Sequence, residues 1–93
     1  MPKLDGLEAV LEYLTGLQPK ISAQIAKKAM SLAVEPLPAD NRQLDGYPEY
    51  RRVDAGEHRI VYRFHEQDDV VEVVLIGKRN DDWVYRALRR KLR

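Results

Sequence analysis

The sequence predicts an α+β fold: an N-terminal helix hairpin packed on a three- or four-stranded antiparallel sheet, followed by a C-terminal helix. Three observations carry that prediction. Apolar residues recur at steps of three and four as far as Leu32, the period shortens to two between Tyr50 and Ile76, and the last dozen residues run from acidic to basic. The chain has 93 residues, 44% of them apolar. That is enough for one compact domain over residues 1–93 and too little for two, because small chains bury too little surface to divide.

Leu4, Leu7, Leu11 and Leu14 fall on one stripe of a helix running from about Asp5 to Thr15, which Gly16 and Pro19 end. Pro19 suits the first turn of a second helix, where its missing N–H costs nothing. Ile21, Ile25, Ala29 and Leu32 continue on one face of that helix, while Lys20, Lys27 and Lys28 keep the outside in water. The connection is short, so the two helices should lie antiparallel and share an apolar face. Pro36 and Pro38 stop the second one.

Residues 34–48 read as loop, punctuated by Pro36, Pro38, Asp40, Asn41, Asp45-Gly46 and Pro48. Beyond it, Tyr50 to Val53, His58 to His65 and Val70 to Ile76 read as strands of an antiparallel meander, with turns at Asp54-Ala55-Gly56 and Glu66-Gln67-Asp68-Asp69. Side chains alternate along a strand, so Ile60, Tyr62 and Phe64 share the face expected to receive the hairpin, and Arg59, Val61, Arg63 and His65 the other. The run from Val70 to Ile76 is apolar almost throughout, which implies cover on both sides. The final helix is capped by Asp81 or Asp82 and ends in Arg89, Arg90, Lys91 and Arg93, where the helix dipole favours cations.

Composition removes many functions. Without cysteine there is no disulfide, no thiolate nucleophile and no cysteine-ligated zinc. No run reaches the roughly 18 apolar residues of a membrane span, and the start lacks the apolar core of a signal peptide, so a cytoplasmic protein without membrane contact is expected. The signatures of serine hydrolases, P-loop enzymes, zinc proteases and dinucleotide binders are absent. His58 and His65, seven apart in one strand, face opposite ways and cannot pair at a metal; each reads as structural or solvated, and neither metal nor cofactor is expected. The net charge of +1 divides unevenly. Residues 1–46 carry five basic and six acidic side chains, and residues 47–93 carry eleven and nine, with nine of the eleven being arginine. Arginine offers a planar fork of donors matched to phosphate, although solvated pairing with nearby acids explains the same composition equally well.

Arg51, Arg52, Arg59, Lys78, Arg79 and Tyr85 come from neighbouring strands and the start of the last helix. Cutting RNA without a metal needs a base for the 2′-hydroxyl proton, an acid for the leaving 5′-oxygen and positive charge at the phosphorane between them. Arginines supply the charge. A tyrosine with an ordinary pKa of about 10 becomes a usable base only where cations stabilise its phenolate, which makes Tyr85 the candidate. The pattern alone fits as well, and more simply, a Tyr85 that faces the core near Trp83 with the arginines on the surface.

His-Arg-Ile-Val-Tyr-Arg-Phe at 58–64, followed by Val-Leu-Ile-Gly-Lys-Arg-Asn-Asp-Asp-Trp-Val-Tyr at 74–85, resembles the RelE/ParE superfamily of type II toxin–antitoxin systems over about residues 7–92. Leu44-Asp45-Gly46 sits where that family has Leu-x-Gly before its second strand. The resemblance, closest to the RelE branch, implies a toxin that cuts messenger RNA in the ribosomal A site, leaving a 2′,3′-cyclic phosphate. It implies Arg59 and Arg79 at the scissile phosphate, Tyr85 as base, and Arg51, Arg52 and Lys78 as RNA-binding cations. It also implies a cognate antitoxin that wraps the toxin and links it to operator DNA. Family members begin with a strand ahead of the hairpin, whereas here the leucine spacing leads into the hairpin almost at once. The ParE branch shares the scaffold but inhibits DNA gyrase by binding alone, and an inactive antitoxin-binding member would share it too.

Overall fold

The computed structural model describes residues 2–79 and 83–92. In chain order the elements are β1 (Lys3–Asp5), α1 (Leu7–Leu14), α2 (Pro19–Val34), β2 (Arg42–Leu44), β3 (Tyr47–Ala55), β4 (His58–His65), β5 (Val70–Lys78) and α3 (Trp83–Lys91). The proposed caps Asp81 and Asp82, and the terminal Arg93, lie outside the described residues. The class is α+β as expected, but the sheet has five strands in the order β1-β5-β4-β3-β2, and it is mixed because β1 pairs parallel with β5.

Both extra strands lie at sheet edges, and each has a local reason. Leu4, expected on the first helical stripe, belongs to β1, because Gly6 turns the chain at φ +87 before the helix starts. A side chain there would run into the carbonyl of Val73, so the left-handed turn and the close approach both require glycine. β2 interrupts the expected loop because Leu44 is buried, and Pro48 is tolerated near the start of β3, where ladder bonds are sparse.

The sheet separates two cores. On one side Val10 of α1 and Ile25, Ala29 and Leu32 of α2 pack on Val53, Ala55, Ile60, Tyr62, Val71 and Val73, so the face expected to receive the hairpin does so. Fully burying side chains such as Ile25 and Leu32 stabilises the fold by about 1.5–3 kcal/mol each. On the other side Val84 and Leu88 of α3 pack on Leu44, Tyr50, Val61 and Val74. The doubly apolar run of β5 is explained here. Val61 pairs with Leu75 and Tyr62 with Val73, which leaves Val74 as a bulge residue without a partner on β4. The bulge turns Val74 and Leu75 together toward α3.

Candidate nucleic-acid interface

The β3–β4 hairpin closes on two residues, Gly56 and Glu57, with Ala55 opposite His58 and Asp54 opposite Arg59. Gly56 has φ +62, the value a tight hairpin needs at its first loop position. Asp54, assigned to the turn by the sequence reading, is therefore a strand residue, and its Oδ1 accepts a hydrogen bond from Arg59 Nε at 3.1 Å. Arg79 follows β5. Its backbone N–H donates to the Glu57 carbonyl at 2.8 Å, which pins the segment against the hairpin turn, and its Nη1 lies 3.7 Å from Asp54 Oδ2. Two arginines, one on β4 and one just past β5, thus converge on one carboxylate. Arg59 is largely sheltered, with its side chain 18% exposed, while Arg79 is open at 54%.

Gly77 lies opposite Arg59 on β5, and the indole of Trp83 rests directly on it, leaving no room for a side chain. Trp83 Nε1 donates to the Lys78 carbonyl, so the start of α3 is fastened to the end of β5 next to the arginines.

The other candidates are dispersed. Arg52 pairs with Val61, which places it on the α3 face of the sheet with Asp54. Arg51 pairs with Tyr62 on the opposite face, where its Nη1 donates to Asn41 Oδ1 at 2.6 Å, so the structure does not bring it to the same surface as Arg52. Lys78 is exposed and pairs with His58, which puts it on the hairpin side of β5. Tyr85 is half-buried against the α3 core; its hydroxyl accepts from the Asp45 N–H at 3.3 Å, and its ring lies 6.3 Å from that of Tyr47. Asp45 lies three residues beyond Arg42, which pairs with Arg52, and antiparallel β2 carries it away from Asp54. The tyrosine hydroxyl and the arginine pair occupy opposite ends of the α3 face.

The histidines keep to opposite faces. His58 is buried edge-on to Tyr13, with its Nε2 unpartnered, and His65 pairs with Glu72 at 2.9 Å. Among the described residues no group of three or more histidines and acids is placed to hold a metal ion, and no helix is long and apolar enough to cross a membrane.

Residues 4–83 match the family model described as the ParE toxin of type II toxin-antitoxin system, parDE. The chain belongs to this family. The toxin is similar in structure to the isolated Escherichia coli RelE toxin over the whole of both chains, with a TM-score of 0.69 at 24% identity. It resembles RelE in the archaeal RelE–RelB complex of Pyrococcus horikoshii with a TM-score of 0.73 at 20% identity, covering 87% of this chain and 98% of that one. It also resembles a chain of the intact E. coli RelBE toxin–antitoxin complex with a TM-score of 0.69 at 26% identity, covering 86% and 99%. No curated protein matches the chain. The RelE/ParE superfamily and the RelE-like architecture are therefore those of this toxin.

Proposed function

We propose that this type II toxin acts on messenger RNA as a metal-independent, ribosome-dependent endoribonuclease, and that Arg59 and Arg79 hold the scissile phosphate. The convergence of their guanidinium groups on Asp54 carries the reading. Two forked cations within reach of one anion define a position at which a phosphate can be held and the charge of a phosphorane stabilised. In this reading the 2′-oxygen attacks the adjacent phosphorus, the 5′-oxygen leaves with a proton, and a 2′,3′-cyclic phosphate remains. Tyr85 takes the 2′-hydroxyl proton, which requires its hydroxyl to leave the Asp45 amide and approach the arginines. Arg52, on the same face as Asp54, adds phosphate affinity, with Lys78 and Arg51 as peripheral cations.

The partner in this reading is a cognate antitoxin, through which alone the toxin meets operator DNA. An apolar groove of about 410 Å³, lined by Leu4, Ala33 and the exposed Met30 and Val34, supports such a partner. In this reading the toxin works in the cytoplasm, where ribosomes and messenger RNA are.

A second reading, inhibition of DNA gyrase by binding alone, is favoured by one observation: the Tyr85 hydroxyl is engaged far from the arginine pair. Growth arrest in cells expressing Arg79→Ala and Tyr85→Phe separates the two. A nuclease loses toxicity in both variants at unchanged folding, whereas a gyrase binder keeps most of it.

A further inference from the structure

We infer that Asp54 is a built-in competitor for the anion site, occupying with its own carboxylate the position that a phosphate takes between Arg59 and Arg79. The inference rests on the RNA-directed reading only in naming the anion. Each carboxylate oxygen faces a different guanidinium, Oδ1 at 3.1 Å from Arg59 Nε and Oδ2 at 3.7 Å from Arg79 Nη1. A phosphodiester offers two acceptor oxygens at a similar separation and the same single negative charge, so it and the carboxylate cannot share the pair.

The placement of Asp54 suits a group that gives way. Strand β2 pairs with β3 at Tyr47, Arg51 and Arg52 and leaves Val53 to Ala55 at the sheet edge, where the Asp54 side chain is 34% exposed. The Arg79 arm of the contact, 3.7 Å long with its side chain 54% exposed, is weak enough for a polyanion to break, while the Arg59 arm is more sheltered. The consequence is a toxin whose affinity for isolated RNA is held down, so that engagement depends on a target presenting several phosphates at once.

The full-length protein, its Asp54→Asn variant and the Asp54→Asn/Arg79→Ala double variant are titrated against a fluorescein-labelled RNA hexanucleotide at several salt concentrations, with circular dichroism to establish folding. Asn keeps the shape and removes the charge. Competition predicts that Asp54→Asn binds about tenfold tighter, with a salt dependence of log affinity steeper by about 0.7 for each phosphate newly held, and that Arg79→Ala reverses the gain. Unchanged or weaker binding by a folded Asp54→Asn overturns the inference, because it makes Asp54 a residue that positions the arginines. Ribosome-dependent cleavage is assayed on the same samples. Tighter binding without any cleavage keeps the competitor and removes the nuclease, and cleavage without tighter binding does the reverse.

Discussion

Trp83 rests its indole on Gly77, and its ring nitrogen donates to the carbonyl of the next residue, Lys78. One aromatic side chain thereby fixes the start of α3 to the end of β5 and shields the strand position opposite Arg59. Gly77→Ala puts a methyl group where the ring lies and should destabilise the protein by about 1–3 kcal/mol, the usual cost of overpacking. Urea unfolding of the variant checks this, and Gly16→Ala, where the added methyl meets nothing within 4 Å, is the control.

Leu88 is fully buried in the α3 core. Truncating it to Ala should cost about 2–5 kcal/mol in urea unfolding, the range for a large-to-small change in a packed core. Loosening α3 also frees Tyr85, so hydrogen exchange at the Asp45 amide should speed up in the same variant.

How much of this was legible depended on the range of the contacts. The β3–β4–β5 meander followed from alternation in β4, where Ile60, Tyr62 and Phe64 share a face, from the apolar run of β5 and from the turn residues between them, and the core on that face agrees. β1 was illegible since its partners, Val70 to Glu72, lie far away in sequence, and Leu4 also fits the helical stripe that begins at Leu7. β2 is three residues long, too short for a period to show. Arg59 and Arg79 were read from the sequence, yet Asp54 was missed: Asp-Ala-Gly reads as a turn, and only the two-residue loop Gly56-Glu57 shows that Asp54 faces Arg59. Arg51 and Arg52 are adjacent, so strand alternation sends them to opposite faces, a consequence that their shared charge concealed.

Tyr62 is fully buried and its hydroxyl donates to the Pro36 carbonyl at 2.7 Å. Burial pushes its pKa up to about 12, partly offset by the guanidinium of Arg51. The unfolded chain releases this proton near pH 10 and the folded chain near pH 12, so between those values the folded state binds more protons and stability falls as pH rises. Below pH 10 the contribution is complete. Urea midpoints measured at pH 9 and 11.5 should show the loss, and Tyr62→Phe should flatten it.

His58 is buried with an unpartnered ring nitrogen. Leaving such a group without a partner costs about 1–3 kcal/mol, so His58→Phe, which keeps a ring against Tyr13, should be neutral or stabilising. A loss above about 1 kcal/mol, on that same scale, would show that the ring nitrogens hold the hairpin face together.

The most direct test of an RNA-directed toxin is to incubate the purified protein with a defined messenger RNA, with and without programmed ribosomes, and map the ends by primer extension. The proposed function predicts cuts only with ribosomes, confined to A-site codons and lost in Arg79→Ala. A folded, antitoxin-free protein that makes no cuts under either condition would contradict it.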